Sequence, residues 1–591
     1  MAYQDNIIFR LMGNMNFNVL FVPFKVMKLK KPEGVWIQSD AFPTELEQYF
    51  DKNILNQKSR LEQMASIWGY VTPDSETFNF NNISINEGFE VAFAESYGGR
   101  LIGKNGGGGR VGIVNGLQLK GIGKTPLVGK NTDIQHSYGA LILDQALTET
   151  LYSYLMEYIL PFGCTKIYGI ISTGVKIQFN NENMNRWRGN ANTALLLREA
   201  CLRPAHFLPA EFFEPKQNYT NLIDDKQRVR CLFKEVAAMK RGNVLFEQMI
   251  FKFLYRSAAQ FASARLNRFT HGTLSPSNIS MDGRWLDLMS TSNLPTGRNY
   301  KTGPNSPAFL SEHLIPLEIT MELVYLYNKY NKKNVSELQF SDYYDQQWEN
   351  QKIFQLAKFL GINNIVWSKS FSEFNDLKIL SNEIYRIISK PSKVIFGWPE
   401  LQRSVAKSYE FYPPENDFFW KKICELFFHK DSVSFSFFDK LMKLEFENDQ
   451  TYDGHISYSS FRIKKFIEIS KKILFSAYFF RSRIDRFAYE ISKLCSNKCN
   501  EWLVNNMKLI DMIFKNNIGT IVYIFNFMGT SIFFDLTSRL FTFELKSENI
   551  SISGDSTHIV NQLELMDGNI FVYYNFDFLP GCISIIKNID L

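Results

Sequence analysis

Apolar residues recur every three or four positions in several long stretches of the chain, and this spacing predicts helices there. The strongest pattern covers residues 141–159, where leucines recur at helical spacing. Residues 45–68 and 243–268 have similar patterns, and residues 308–516 are predicted to be mainly helical, with a break at the Pro413–Pro414 pair. The second half of the chain is therefore expected to contain a large helical region.

Shorter apolar or alternating runs predict strands in other segments. Such runs occupy residues 79–94, 111–120, 166–179 and 193–200. The most apolar run, residues 518–534, is interrupted by Asn526 and Gly529 and predicts two buried strands around a turn rather than a membrane span. Residues 518–591 as a whole are predicted to form a small β-rich unit.

Composition narrows the class of protein. A chain of 591 residues is too long for one ordinary core, so we expect two to four domains. A hydrophobic content of 45% with 21% charged residues indicates a folded protein, and a net charge of only +6 argues against nucleic-acid binding. Seven cysteines without framework spacing favour a reducing compartment. With no secretory signal recognisable, we predict a cytoplasmic protein.

A glycine-rich basic loop, GKNGGGGR at residues 103–110, precedes the hairpin that ends at Lys120. Glycines such as Gly107 and Gly108 let backbone N–H groups approach an anion closely, because no Cβ intervenes. A loop of this kind followed by a lysine on a strand holds the phosphates of a nucleotide in kinase-like folds. The alternative is a flexible hairpin tip followed by a solvated lysine.

A second candidate site lies at HGTLSPSN, from His271 to Asn278, which is followed by Asp287. In kinase-like folds a loop of similar form supplies a catalytic aspartate and a metal-binding asparagine, and a later strand ends in a second metal-binding residue. Asn278 and Asp287 stand at the two metal positions and offer the oxygen ligands that Mg²⁺ requires. Thr273 stands at the position of the catalytic aspartate, which disfavours ordinary phosphoryl transfer. Alternatively, Asn278 caps a turn, Asp287 ends a strand and His271 bonds the loop backbone.

Both motifs resemble those of one family. GLQLKGIGKTP at residues 116–126 resembles the LKGxGxTP signature of the selenoprotein O family of kinase-like protein adenylyltransferases, and HGTLSPSN resembles that family's HGVMNTDN loop. The resemblance covers about residues 85–290. It implies a protein-kinase-like fold that binds ATP in a flipped orientation and transfers AMP to protein hydroxyls. By position, it implies phosphate contacts from Arg110, Lys120, Arg198 and Arg203, an ion-pair partner for Lys120 in Glu149, and a metal held by Asn278 and Asp287.

Like the family's loop, this loop lacks the usual kinase aspartate, and Thr273 stands at that position. It departs from the family at Ser277, which replaces the carboxylate that precedes the metal-binding asparagine in the family. The implied roles also have structural alternatives, with Glu149 as an exposed helix carboxylate and Arg198 and Arg203 as structural ion-pair residues.

The resemblance and the hydrophobic pattern together predict an α+β chain with a protein-kinase-like bilobal core, a mainly helical region and a small β-rich C-terminal unit. The expected segments are an N-terminal extension packing on the core (1–84), an N-lobe with the glycine-rich loop (85–165), a C-lobe with the metal site (166–307), a mainly helical domain (308–516) and the β-rich unit (517–591).

The functional expectation is an adenylyltransferase that uses ATP with Mg²⁺ or Mn²⁺ and whose catalytic residues are Lys120, Glu149 and Asp287. The resemblance implies a hydroxyl acceptor on a protein or peptide. Because no base is evident, an already ionised carboxylate is the other expected acceptor, as in peptide or natural-product modification. The alternative is a pseudokinase that binds nucleotide and scaffolds a partner protein through residues 308–591. An ordinary phosphotransferase is disfavoured by Thr273.

Overall fold

A computed structural model describes most of the chain, namely residues 17–38, 42–51, 56–73, 77–133, 137–178, 190–222, 224–239, 241–294, 307–362, 378–379, 381–382, 385, 433–448, 456–515, 517–574 and 576–589. The predicted break at Pro413–Pro414 lies outside these residues. The described part is a mixed α+β structure, and all pairings between its named strands are antiparallel.

A large antiparallel sheet contains nine of the described strands. These strands are β1 (Phe21–Lys28), β2 (Glu33–Ile37), β3 (Tyr70–Val71), β4 (Glu90–Glu95), β5 (Val111–Val114), β6 (Leu117–Lys120), β7 (Leu141–Ile142), β8 (Ile167–Gln178) and β9 (Asn190–Arg198). Their order across the sheet is β2-β8-β9-β6-β5-β4-β1-β3, and β7 pairs with β9. The predicted segment boundary between residues 165 and 166 lies inside this sheet, because β8 and β9 pair with β2 and β6.

Helices account for most of the remaining described structure. They are α1 (Phe17–Leu20), α2 (Gln57–Trp68), α3 (Leu143–Ile159), α4 (Asp225–Ala238), α5 (Gly242–Leu266), α6 (Ile315–Asn331), α7 (Glu337–Phe359), α8 (Val433–Asn448), α9 (Tyr458–Phe475), α10 (Arg481–Ser492), α11 (Ser496–Phe514), α12 (Ser556–Leu565) and α13 (Leu579–Lys587). The predicted helices at 141–159 and 243–268 are therefore confirmed as α3 and α5.

Three smaller sheets complete the described strands. The strands are β10 (Phe269–Thr270) with β11 (Ser292–Asn293), then β12 (Asn517–Ile518), β13 (Ile521–Phe527), β14 (Thr530–Asp535), β15 (Phe541–Leu545) and β16 (Ile550–Gly554), and finally β17 (Val572–Tyr573) with β18 (Phe576–Asp577). The two buried strands predicted around a turn in residues 518–534 are confirmed as β13 and β14.

The hairpin that ends at Lys120 has a two-residue turn. Asn115 and Gly116 both have positive φ values, 47° and 78°. Two such residues form the turn type whose twist matches that of antiparallel strands, and Asn-Gly is its preferred sequence. The turn therefore fixes the register in which Val111 lies opposite Lys120.

Helix α3 is buried on almost all sides, which its repeated leucines alone do not explain. The sheet covers one side, and α10 and α11 pack on another. The Tyr152 hydroxyl donates to the carbonyl of Phe479 (2.9 Å), and the hydroxyls of Tyr154 and Tyr158 donate to Asp511 Oδ1 (2.9 and 2.6 Å). The C-terminal helices thus fix the position of α3 against the sheet.

Three predicted segments differ from the structure. Residues 44–49 form a short 3-10 helix and α2 begins separately after Asn56, whose side chain accepts from the Ser59 N–H (2.8 Å) and caps the helix. In residues 79–94 only β4 is a strand, because Asn79 forms a side-chain turn with the Asn81 N–H. The C-terminal unit contains helices α12 and α13 beside its sheet, and Asp555 caps the first of them.

Among the helices that the structure describes, none is long and apolar enough to cross a membrane.

The contact of α3 with α11 can be tested with Asp511→Ala. We expect the free energy of unfolding to fall by about 1–3 kcal/mol, because two partly buried tyrosine hydroxyls lose their acceptor. Denaturant unfolding measures this loss. In a double-mutant cycle, replacing Tyr154 and Tyr158 by Phe should cost less in the Asp511→Ala background than in the wild type. Equal costs in both backgrounds would contradict the contact.

Candidate functional site

Lys120 is the last residue of β6 and points into the protein. Side chains alternate along a strand, so Gln118 and Lys120 share the face that Leu117 and Leu119 do not. On that face α3 places Glu149, and Lys120 Nζ lies 2.7 Å from Glu149 Oε2. The side chain of Lys120 is only 4% exposed and that of Glu149 only 1%. Lys120 is therefore not a solvated lysine, and Glu149 is not an exposed helix carboxylate.

Two further charges close this pair into a ring. Asp287 Oδ1 lies 2.5 Å from Lys120 Nζ and 2.6 Å from Arg198 Nη1. Arg198 Nη1 in turn lies 3.1 Å from Glu149 Oε1. Each cation therefore contacts both carboxylates. We call Lys120, Glu149, Arg198 and Asp287 the charge ring.

Asp287 is the member of the ring that solvent reaches most easily. Its side chain is 23% exposed, whereas that of Arg198 is 2% exposed. Burial acts to raise the pKa of Asp287, but Arg198 and Lys120 oppose this and hold that pKa well below its usual range. The carboxylate is therefore ionised at neutral pH, and it is the part of the charge ring that contacts solvent most.

A second layer of polar groups lies behind the ring. Gln118 accepts from Arg198 Nε and donates to Glu95, both through short hydrogen bonds. Arg203 Nη2 lies 3.5 Å from Glu95 Oε2, and Arg203 Nη1 donates to the carbonyl of Ser277 (2.9 Å). Burial is the main influence on Glu95 and raises its pKa, although Arg203 and Arg198 oppose it. This layer connects the ring to the loop before Asn278.

His271 hydrogen-bonds to the backbone at both ends of the segment from Asn278 to Asp287. Its Nε2 lies 3.2 Å from the carbonyl of Asn278 and 3.0 Å from that of Leu286, so Nε2–H donates to both carbonyls. The Leu286 N–H also donates to the Asn278 carbonyl (3.2 Å). Burial lowers the pKa of His271 to about 4, which keeps its imidazole neutral at physiological pH. The structural role predicted for His271 is confirmed.

The amide of Asn278 is oriented by the loop itself. Its Nδ2 donates to the carbonyl of Thr273 (2.8 Å), and its Oδ1 accepts from the Ser277 hydroxyl at 3.3 Å. An amide oxygen has a second lone pair, so Oδ1 retains the capacity to ligate a cation.

Asp287 has the left-handed backbone conformation (φ 58°, ψ 53°), an arrangement that costs free energy and clusters at functional sites.

The side-chain oxygens of Asn278 and Asp287 are of the type that hard divalent cations prefer, but two residues do not complete the shell of such a cation. Among the described residues there is no group of three or more His, Cys, Asp or Glu side chains that could hold a metal. Mg²⁺ commonly binds through one or two protein oxygens together with phosphates and water. The donor set of Asn278 and Asp287 is of that kind.

Glu312, which the sequence did not single out, anchors the start of the loop. Its Oε1 accepts from the Thr270 hydroxyl (2.6 Å) and the Gly272 N–H (2.7 Å), and its Oε2 accepts from the His271 N–H (3.1 Å). Burial raises the pKa of Glu312 to about 7, which these hydrogen bonds oppose. Glu312, which lies in the short 3-10 helix Phe309–Leu314 before α6, therefore positions the loop without belonging to the charge ring.

The glycine-rich loop lies against the end of β4. A Cβ on Gly107 would meet the Glu95 carbonyl oxygen at 2.1 Å, so only glycine fits there. The Gly108 N–H donates to the same carbonyl (2.9 Å), so this N–H already has a hydrogen-bond acceptor within the protein. Arg110 Nη1 donates to the Tyr138 hydroxyl (2.8 Å) and the Ala140 carbonyl (3.1 Å), apart from the charge ring. Of the predicted phosphate contacts, the structure thus brings Lys120 and Arg198 together with Asp287, and places Arg203 in the second layer.

One signal in the sequence could have identified part of the second layer. Gln118 and Lys120 are the two polar residues of a strand whose other residues are leucines, and this alternation places both on one buried face. Glu95 and Glu312 offer no such signal, because their partners lie far away in the sequence.

No protein-family model matches the chain, and no curated protein matches it.

The neutral state of His271 predicts a pH dependence of stability. The unfolded chain binds a proton at this residue below about pH 6.5, while the folded chain resists protonation until about pH 4. Stability should therefore fall as the pH falls through this window, by about 2 kcal/mol between pH 7 and pH 5 from His271 alone. Because Gln does not titrate, the stability difference between the wild type and His271→Gln should shrink by this amount when the pH is lowered from 7 to 5, as measured by urea unfolding. His558→Gln, at an exposed histidine, is the control, and a difference that is constant with pH would contradict the buried neutral state.

The anchoring role of Glu312 predicts local opening in Glu312→Ala. Two buried backbone N–H groups lose their acceptor, at a cost of about 1–3 kcal/mol each. Hydrogen exchange at His271 and Gly272 should therefore become about tenfold faster or more. The exposed Glu337→Ala is the matched control. Unchanged exchange across residues 269–280 would be incompatible with the anchor.

Proposed function

We propose that the protein is a nucleotidyltransferase that uses ATP with Mg²⁺ or Mn²⁺ and transfers AMP to a hydroxyl or carboxylate of a protein or peptide. The observation that carries this proposal is the charge ring, with Asp287 at its partly exposed edge and Asn278 on the adjoining loop. The same parts occur in kinase-like folds, where a strand lysine pairs with a helix glutamate and an asparagine and an aspartate hold the metal.

The order of elements supports a protein-kinase-like bilobal core. A glycine-rich loop precedes the lysine strand β6, the glutamate helix α3 follows, and β9 pairs with β6 on the other side. The asparagine loop and Asp287 follow the long helix α5. This is the sequence of parts that such folds use to enclose a nucleotide. The resemblance to selenoprotein O adenylyltransferases supports the same arrangement.

The charge ring suits a metal–phosphate ligand in particular. A phosphate alone that bound Lys120 would leave Asp287 with fewer cations, and a metal alone on Asp287 would leave Lys120 and Arg198 to share Glu149 as their remaining carboxylate. A metal bound with phosphates supplies both charges, so Asp287 can exchange Lys120 for the metal while Lys120 and Arg198 turn to phosphate oxygens. Each buried charge keeps a partner throughout this exchange, which avoids the large cost of an unpaired buried charge.

The residues of the loop disfavour ordinary phosphoryl transfer, and the resemblance supports transfer of AMP instead. Thr273 offers a hydroxyl where a kinase loop has its catalytic aspartate, and Ser277 offers one where the resembled family has a carboxylate. Neither can accept a proton from an acceptor hydroxyl as a carboxylate can. An ionised acceptor carboxylate needs no base. Its oxygen would form a bond to the α-phosphorus, while the bond to the bridging oxygen breaks and its electron pair leaves with pyrophosphate. Lys120, Arg198 and the metal on Asn278 and Asp287 would stabilise that leaving charge.

A second function is favoured by one observation. Every cation of the charge ring already has protein partners, and α10 and α11 fix α3 from outside. A site held so firmly suits a nucleotide-binding pseudokinase that presents residues 308–591 to a partner protein. This function would show saturable ATP binding without transfer.

The deciding experiment follows transfer from ATP labelled on the α- or the γ-phosphate, with Mg²⁺ and a lysate of the native organism. We expect α-label on an acceptor and pyrophosphate release. Asp287→Asn should lower transfer about 100-fold or more, because a charge that organises the leaving group is lost. Lys130→Met, at an exposed lysine, is the control and should retain full transfer.

Because Asp287→Asn can also destabilise the fold, Asn278→Ala provides a second measurement outside the charge ring. It should raise the Mg²⁺ concentration for half-maximal transfer about tenfold or more. Transfer from the γ-position alone would replace the proposal by a kinase. ATP binding without transfer would replace it by the pseudokinase.

A further inference from the structure

A cavity of about 320 Å³ lies beside the loop that carries Asn278. Its walls come from residues just before the glycine-rich loop, from the middle of the HGTLSPSN loop, and from the segment that leads into α6 and the first turns of that helix. Leu274, Ser275 and Pro276 are the lining residues of the HGTLSPSN loop. The Asn278 N–H donates to the Ser275 carbonyl (3.0 Å), so one short turn separates the cavity from Asn278. The volume is in the range of small ligand sites.

The polar part of the cavity is predominantly acidic. Glu318 and Glu322 line it from α6, and Arg100 is the basic residue among the lining groups, which leaves a net charge of −1. Burial raises the pKa of Glu322, with Arg100 acting in the opposite direction. A cationic group that enters the cavity would stabilise the ionised form of Glu322 and so offset the cost of burying its charge.

The cation now present in the cavity is held weakly. Arg100 Nη1 lies 2.9 Å from Glu318 Oε2, but the two side chains are 67% and 45% exposed. Exposed ion pairs of this kind contribute about 0–1 kcal/mol, so a ligand cation can take the place of Arg100 at little cost. The neighbouring Leu101 has a positive φ of 71°, a strained conformation for leucine, and lies at the same opening.

We propose that this cavity binds a lysine or arginine side chain of the acceptor, so that the protein selects basic peptide segments. This inference rests on the proposed function for its role in catalysis, since it places the acceptor beside the loop that would hold the metal. Apolar residues such as Leu274, Leu314 and Ile319 contact the aliphatic part of such a side chain, and Glu318 and Glu322 contact its charged end. The cavity is then the subsite that sets acceptor specificity.

The test measures peptide binding directly, without ATP, by fluorescence anisotropy. The probes are a fluorescein-labelled nonapeptide with a central serine and three flanking arginines, and the same peptide with citrulline at those three positions. Citrulline keeps the shape of arginine and removes its charge. We expect the arginine peptide to bind the wild type roughly tenfold more tightly or better, with a preference that declines as salt is added.

Three variants separate the cavity from general electrostatic attraction. Glu318→Gln with Glu322→Gln should remove the preference for arginine, and Glu337→Gln, at an exposed carboxylate on α7, should leave it intact. Arg100→Gln should tighten binding of the arginine peptide several-fold, because the competing internal cation is gone. A gain in affinity cannot result from misfolding. Equal binding of the two peptides, or a preference that survives the loss of both glutamates, would overturn the inference.

The outcome is distinguishable from failure of the proposed function. Arginine-selective binding without AMP transfer would uphold the cavity and reject the transferase. AMP transfer to acceptors without basic residues, unchanged in the Glu318→Gln and Glu322→Gln variant, would uphold the transferase and reject the cavity as the acceptor subsite.

Discussion

The pairing of buried charges is the constraint on which the rest of the structure depends. Lys120, Glu149 and Arg198 are nearly inaccessible to water, and removing one partner from such a set costs about 3–5 kcal/mol. The three residues come from β6, α3 and β9, and Asp287 comes from a distant loop. These elements must therefore meet to within hydrogen-bond distance, and the fold cannot shift one of them without leaving a charge unpaired.

The position of α3 shows how the two halves of the chain share this requirement. The sheet alone would leave one side of the helix free to move, and Glu149 would move with it. Hydrogen bonds from Tyr152, Tyr154 and Tyr158 to the C-terminal helices prevent this. The C-terminal half thus contributes to the geometry of the site without contributing a residue to the charge ring.

Local sequence patterns predicted the parts of the site that local physics determines. The predicted hairpin places Lys120 at the end of a strand, and the leucine repeat places Glu149 on a helix. The paired roles of these residues came from the resemblance, because no local pattern joins a strand to a helix 29 positions later. Glu95 and Glu312 escaped prediction for the same reason, and residues 79–94 were mispredicted because side-chain turns compete with a strand. The activity itself stays a prediction.

The two arginines predicted to clamp phosphate differ in their freedom to do so. Arg198 shares Asp287 with Lys120, and a metal on Asp287 would leave Arg198 able to turn to a phosphate while Gln118 and Glu149 still hold it. Arg203 is bound by Glu95, Gln118 and the Ser277 carbonyl, and its release would leave Glu95 buried with one cation fewer. Under the proposed function, exchange with a metal–phosphate ligand would therefore cost less at Arg198 than at Arg203. Arg203 accordingly suits the positioning of the loop before Asn278 better than direct contact with the ligand.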